Sequence, residues 1–110
     1  MEIIVRTIDD VTVADITGDI DGKTAPEAQA AILPLLQPGC KVIVNMSGVE
    51  YMSSAGLRMM LSMHRETASN KGHLVLVGLS EDIQDTMSAT GFLNFFTIQD
   101  TVESGLDSLK

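Results

Sequence analysis

The chain alternates short apolar runs with longer segments in which apolar residues recur every three or four positions. Two runs near its start, Glu2 to Arg6 and Val11 to Thr17, lie on either side of Asp9-Asp10 and predict a pair of strands. Two further runs, Lys41 to Met46 and His73 to Leu79, are dominated by β-branched and aliphatic residues, which is typical of strands buried on both faces. A last short strand is predicted at Phe95 to Ile98.

The segments between these strands predict four helices. The first begins at Thr24, with Glu27 completing a capping box, and Pro34 is expected to kink or end it. The second and longest runs from Ser53 to Asn70, and its predicted core-facing stripe is Leu57, Met60, Leu61, His64 and Ala68. A short acidic helix follows Ser80, and a last helix covers Thr101 to Leu109.

The element order is therefore β-β-α-β-α-β-α-β-α. Strands that alternate with helices after an opening hairpin imply right-handed crossovers, so the predicted class is α/β, with a small mixed, mostly parallel sheet and about four helices. The chain contains no linker, internal repeat or low-complexity stretch, which predicts a single domain over residues 1–110.

Charge and composition narrow the range of partners. The 110 residues include 15 acidic and 7 basic side chains, a net charge of −8, which disfavours binding to nucleic acid or to an anionic membrane surface. The longest apolar runs are far short of the ~20 residues that cross a bilayer. With no apparent secretory leader and a single cysteine, Cys40, the sequence predicts a cytoplasmic protein in a reducing compartment.

The common catalytic and cofactor motifs are missing. The glycines form neither a dinucleotide fingerprint nor a phosphate loop, and His64 and His73 have no neighbouring cysteine, so we predict no cofactor, no metal and no enzymatic activity. A serine hydrolase that uses Ser53 or Ser54 is a minor alternative. His64 would lie ~15 Å along the same helix, too far to act as base, whereas spacing alone leaves His73 open.

The segment from Val44 to Arg58 carries the most information. It predicts a strand, a loop and then two hydroxyls, Ser53 and Ser54, at a helix N-terminus, where unpartnered N–H groups and the helix dipole favour an added anion. A phosphoserine would fit there without melting the helix. Spacing alone favours the simpler interpretation, in which Ser53 is an N-cap and Ser54 an ordinary first-turn residue.

The stretch Tyr51-Met52-Ser53-Ser54-Ala55-Gly56-Leu57 resembles the phosphorylation-site motif of STAS domains, in particular bacterial anti-sigma factor antagonists. Supporting matches occur in the family's order along nearly the whole chain: Gly18-Asp19-Ile20-Asp21, Val42 to Met46, Ser47-Gly48-Val49, Thr90-Gly91-Phe92, Phe96-Thr97-Ile98 and Asp100-Thr101. The family fold, a small sheet with helices layered against it, agrees with the predicted element order.

This resemblance implies a partner-switching module. The unphosphorylated antagonist would bind an anti-sigma factor that is also a serine kinase of the histidine-kinase-like ATPase type. Phosphorylation would release it, and a PP2C-type phosphatase would restore it. The phospho-acceptor falls on Ser54, with Ser53 as the alternative, and Asp21 matches an acidic position at the kinase-binding surface. The full set of predicted partner-binding residues is Asp19, Asp21, Ser53, Ala55, Gly56 and Arg58.

Two positions depart from the family pattern, because Ser53 and Asn45 stand where the family often has Asp. An alternative function within the family is a non-phosphorylated scaffold subunit of a larger assembly, such as an ABC-transporter complex. Arg58 and Arg65, seven residues apart, either mark an interface or lie on a solvated face. Asp21 is equally plausible as a turn residue, Met59 and Met63 are expected to fill the core, and the chain is expected to be a monomer.

Overall fold

The computed structural model describes residues 1–110 and has the predicted element order. The main elements are β1 Glu2–Ile8, β2 Val11–Thr17, α1 Ala25–Ile32, β3 Lys41–Gly48, α2 Ser54–Ser69, β4 His73–Val77, α3 Glu81–Ala89, β5 Thr97–Gln99 and α4 Val102–Ser108. Short 3₁₀ turns cover Leu33–Leu35 and Leu93–Phe95. No helix combines the length and the apolar character needed to cross a membrane.

The five strands form one sheet in the order β1-β2-β3-β4-β5. β1 and β2 are antiparallel, joined by a tight turn in which Asp9 has a φ of 55°. The other neighbours are parallel, with Val42 of β3 paired to Thr12 on one side and Leu74 on the other. A parallel arrangement brings the carboxyl ends of β2, β3 and β4 to one edge of the sheet, and this edge carries the loops that lead into α1, α2 and α3.

Helices cover both faces of the sheet, which explains the nearly continuous apolar run in β3. On one face α1, α2 and α3 pack on the larger core, which includes Val42, Val44 and Met46. On the other face α4 packs on Ile43, Val75 and Val77 in a second, smaller core. Gly105 allows this close approach, because a Cβ there would lie 3.0 Å from Val77 Cγ1 and 3.1 Å from Ile43 Cδ1.

The buried stripe of α2 differs from the predicted one. Leu57 and Met60 are buried as expected, and Met59 and Met63 fill the core, but Leu61 and His64 are half-buried and Ala68 is exposed. The sheet and α1 contact a stripe rotated toward Met59, Met60, Met63 and Thr67. The periodicity predicted that α2 has one apolar face but not which residues lie at its centre, because methionines flank the predicted stripe on the side that is buried.

The capping box predicted for Thr24 and Glu27 is wrong. Thr24 makes no side-chain cap on α1. Its hydroxyl donates to the Asp19 carbonyl and accepts from the Asp21 N–H, while the Asp21 carboxylate accepts from the Thr24 N–H. The Thr24 hydroxyl is therefore hydrogen-bonded to the preceding loop instead of to the first turn of α1. The predicted effect of Pro34 is confirmed, because α1 ends at Ile32 and passes into a 3₁₀ turn.

Candidate functional site: a serine at the start of α2

Two loops at the carboxyl edge of the sheet are joined by backbone hydrogen bonds. Ile20 lies between β2 and α1, and it forms an isolated parallel bridge with Met52, between β3 and α2. The Ile20 N–H donates to the Tyr51 carbonyl at 2.9 Å, and the Ser53 N–H donates to the Ile20 carbonyl at 2.8 Å. These bonds hold the aspartate loop 18–24 against the serine loop 49–53, so the two sequence-predicted segments form one site.

Gly56 is required by the packing under the first turn of α2. A Cβ on Gly56 would collide with Met52 Cγ and lie 2.9 Å from Ile20 Cγ2. Both neighbours belong to the bridge between the loops, and both are buried. Gly56 therefore lies on the buried face of α2. Its lack of a side chain allows the serine loop to pack closely against the first turn of the helix.

The two candidate serines have different environments. Ser53 is the N-cap of α2: it is half-buried, and its Oγ accepts from the Gly56 N–H at 3.4 Å. Ser54 is the first residue of the helix and is exposed. Ser54 and Ala55 occupy the first positions of the helix, whose N–H groups lack intrahelical partners. Of the two hydroxyls, that of Ser54 is the one presented to solvent beside positive helix-terminal dipoles.

The two aspartates of the neighbouring loop have separate tasks. Asp21 folds its own turn: its Oδ1 accepts from the Lys23 N–H at 2.9 Å and from the Thr24 N–H at 3.1 Å. Hydrogen bonds from the Thr24 and Lys23 N–H groups lower the pKa of the Asp21 carboxyl, so it is ionised at neutral pH. Asp19 is exposed and lines an adjacent cleft.

This cleft, of about 630 Å³, is acidic. Three carboxylates line it, from Asp19, Glu50 and Asp82, together with Ser47 and Ser80 and the exposed ring of Tyr51. Glu50, Tyr51 and Asp82 were not among the site residues predicted from the sequence. The available signal was their position, since Glu50 and Asp82 follow neighbouring parallel strands, whose carboxyl ends meet at one edge.

Arg58 lies on the other side of the serine. With Pro26 and Gln29 of α1 and Ala55 and Ser62 of α2, it lines a groove between the two helices. The structure therefore brings Ser53, Ser54, Ala55, Arg58, Asp19 and Asp21 to one end of the molecule. Arg65 is two turns further along α2, beside Phe92 and Phe95. Arg58 and Arg65 therefore line separate grooves along one side of α2.

Asn45 has a specific partner. Its Nδ2 donates to Asp15 Oδ1 at 2.7 Å, and its Oδ1 accepts from the Ser47 N–H at 3.1 Å. Asp15 also accepts from Arg6 Nε at 2.8 Å. Burial acts to raise the pKa of the Asp15 carboxyl, but the hydrogen bonds from Arg6 and Asn45 and the Arg6 charge lower it overall. An amide at position 45 supplies the donor that Asp15 needs, which a carboxylate would not.

Neither histidine is placed to act as a base for Ser54. His64 is half-buried two to three turns along α2 and packs edge-on against the Phe96 ring, with centroids 5.3 Å apart. His73 begins β4 at the amino edge of the sheet, whereas Ser54 follows the carboxyl end of β3. The pairing of His73 with Ser54 that spacing left open is therefore ruled out by topology.

The fold and this site define a small α/β module with a hydroxyl exposed at a helix N-terminus. The family model described as the STAS domain matches residues 2–105 of the chain. The anti-sigma-B factor antagonist of Staphylococcus epidermidis is 30% identical over 88% of this chain and 91% of its own length. BtrV of Bordetella bronchiseptica, a candidate anti-sigma factor antagonist, is 25% identical over 100% and 96% of the two chains. The chain belongs to the STAS domain family.

Solved structures share this fold. A candidate anti-sigma factor antagonist of Thermotoga maritima matches with a TM-score of 0.89 at 20% identity, covering 96% of this chain and 92% of that one. The Bacillus cell fate determinant SpoIIAA, solved in its phosphorylated form, matches with a TM-score of 0.74 at 19% identity, over 99% and 100% of the two chains. The murine Slc26a9 anion transporter contains the fold as well: the match, at 12% identity and a TM-score of 0.81, covers 94% of this chain but 18% of that protein.

Proposed function

We propose that this chain is an anti-sigma factor antagonist that works by partner switching. Its unphosphorylated form binds an anti-sigma factor that is also a serine kinase of the histidine-kinase-like ATPase type. The kinase phosphorylates Ser54 and releases the antagonist, and a PP2C-type phosphatase returns it to the binding form. The chain supplies a surface and an acceptor hydroxyl, so the switch needs no catalysis and no cofactor from it.

The exposed hydroxyl of Ser54 carries this proposal. A kinase must reach its acceptor, and Ser54 is exposed while Ser53 is half-buried and caps the helix. The Ser53 Oγ is also turned toward the Gly56 N–H, from which it accepts a hydrogen bond. The relatives named as anti-sigma factor antagonists match nearly the whole chain, including this segment, which supports assigning the same class of function.

Electrostatics explain how a phosphate on Ser54 can change binding without changing the fold. A phosphoserine adds about −1.5 to −2 charges at neutral pH, which the N-terminus of a helix tolerates. SpoIIAA, solved unphosphorylated and phosphorylated, matches this chain with a TM-score of 0.74 in either form. The serine loop that leads into Ser54 also lines the acidic cleft of Asp19, Glu50 and Asp82. A partner surface that fits the neutral hydroxyl would have to desolvate the phosphate, which favours release.

The alternative is a scaffold subunit that never carries phosphate, for example in an ABC-transporter complex. The occurrence of this fold as a small part of the Slc26a9 transporter shows that the fold alone does not decide between the two. The two functions differ in the effect of a negative charge at Ser54. In a switch that charge controls partner binding, and in a scaffold it has no greater effect than a charge elsewhere on the surface.

The first test is intact-mass analysis of the protein isolated from its native cell. We expect one phosphoryl increment in the wild type, none in Ser54→Ala, and an unchanged increment in Ser53→Ala. Ser53→Ala is also the matched structural control, because losing an N-cap costs about 1 kcal/mol and should lower the Tm, whereas Ser54→Ala should not. If no increment forms under any growth condition, or with a candidate kinase and ATP, the scaffold function is favoured.

The second test measures binding to the anti-sigma factor with charge-matched variants. Ser54→Asp should bind much more weakly than wild type and Ser54→Ala should bind normally. Ser69→Asp places the same charge at the exposed last residue of α2, away from the predicted partner-binding residues, and controls for charge alone. Equal losses in Ser54→Asp and Ser69→Asp would argue against a switch centred on Ser54.

A further inference from the structure

β1 is an exposed edge strand with apolar side chains on both faces. It lies at one end of the sheet and pairs only with β2. Ile4 is 53% exposed and Val5 46% exposed. The opposite edge, β5, is three residues long, so β1 is the long open edge. A free edge presents unpaired N–H and C=O groups to any strand that can align with it.

The helix on the Ile4 face of the sheet leaves Ile4 exposed to solvent. α4 packs mainly on β3, β4 and β5, and on the same face of the sheet Ile4 and Arg6 are exposed. Val5 and Ile3 share the opposite face of the strand. Ile3 packs against the larger core, but Val5 is not part of it. Extending the sheet by one strand would therefore bury apolar surface on both faces.

The sequence of β1 is complementary to itself. If two copies pair antiparallel about Ile4, residue i of one copy lies opposite residue 8 − i of the other. Glu2 then faces Arg6 of the second copy, Ile3 faces its Val5, and Ile4 faces its Ile4. Glu2, Ile4 and Arg6 share one face of the strand, so two opposite-charge pairs flank a central apolar pair, an arrangement that stabilises antiparallel strands.

We propose that β1 is a self-association edge, through which two copies of this chain join their five-stranded sheets into one continuous sheet. The pairing is two-fold symmetric and therefore closed at a dimer. It buries less than the ~1,200 Å² of stable complexes, and the net charge of −8 on each copy opposes it. The dimer is consequently weak, populated at about 0.1–1 mM protein, in contrast to the monomer expected from the sequence.

Sedimentation velocity on the whole chain, up to about 1 mM, tests the proposal. Wild type should show a reversible monomer–dimer equilibrium. Glu2→Lys puts Lys opposite Arg6, and Arg6→Glu puts Glu opposite Glu2, so each variant alone should dimerise at least about tenfold more weakly. An equimolar mixture restores both charge pairs, and it should form a heterodimer. Phe95→Lys, which alters an equally exposed apolar side chain elsewhere (55%), should dimerise like wild type.

Arg6→Glu also removes the ion pair with Asp15, so circular dichroism must show that it is folded. If it is not, Ile4→Lys and Ile4→Glu provide a second pair, each repelling itself across the two-fold axis and attracting the other. A wild type that stays monomeric at 1 mM overturns the proposal. So does a dimer that survives the single charge reversals, or one that Phe95→Lys abolishes.

Discussion

Asn45→Asp replaces the side-chain amide that donates a hydrogen bond to the Asp15 carboxylate. Asn45 Nδ2 lies 2.7 Å from Asp15 Oδ1, and the Asp15 side chain is 26% exposed. The substitution replaces a donor by a second carboxylate. Even after the side chains rotate apart, two unit charges ~4 Å from each other repel by about 1 kcal/mol in water and about 4 kcal/mol at an effective dielectric constant of ~20.

The partial exposure of Asp15 places the site between these limits, so we expect a loss of about 2 kcal/mol in the free energy of unfolding at pH 7. For a domain of this size that corresponds to a fall in Tm on the order of 10 °C. Thermal unfolding followed by circular dichroism at pH 7 and pH 4 measures it. Near pH 4 one of the two carboxyls takes up a proton and can donate to the other, so the deficit should shrink.

Two variants separate charge from the loss of a hydrogen bond. Asn45→Ala removes the donor without adding charge and should cost about 1 kcal/mol at both pH values. The exchange Asp15→Asn with Asn45→Asp restores one amide and one carboxylate, and should recover much of the loss. A deficit in Asn45→Asp that is the same at pH 4 and pH 7, or absent at pH 7, would show that repulsion with Asp15 is not its cause.

The remaining predictions use the same unfolding measurements. Gly56→Ala should cost about 1–2 kcal/mol by overpacking against Met52, whereas Gly22→Ala, which meets no atom within 4 Å, should leave the Tm nearly unchanged; equal effects would contradict the packing argument. Met60→Ala, at a fully buried position, should cost about 2–5 kcal/mol in urea unfolding. The lowered pKa of Asp15 gives stability that is fully present above the ordinary pKa of an aspartate and is lost as pH falls through the folded pKa. Asp15→Asn should therefore flatten the acid limb of the Tm–pH profile.

Much of the fold follows from local sequence. The apolar runs of β3 and β4, Ser53 and Ser80 as helix caps and Pro34 at the end of α1 all act within a few residues of chain, so the order of strands and helices could be predicted before any contact was known. The Ser54 motif, and the two positions that differ from the family pattern, Ser53 and Asn45, could be identified from the sequence for the same reason.

The tertiary structure decided which residues meet. Thr24 does not form its predicted capping box because its hydroxyl donates to the Asp19 carbonyl and its N–H to the Asp21 carboxylate, in the loop that is held against the serine loop. The core-facing stripe of α2 turned toward Met63 because the sheet and α1 set the angle of the helix, and periodicity does not.

The site depends on the same kind of long-range contact. Glu50 and Asp82 are over thirty positions apart and meet because β3 and β4 are parallel neighbours. The partner of Asn45 is Asp15, thirty positions away on the adjacent strand. Local sequence determined what each element of this protein is and which serine starts α2. Strand pairing, which acts between distant parts of the chain, determined what surrounds that serine.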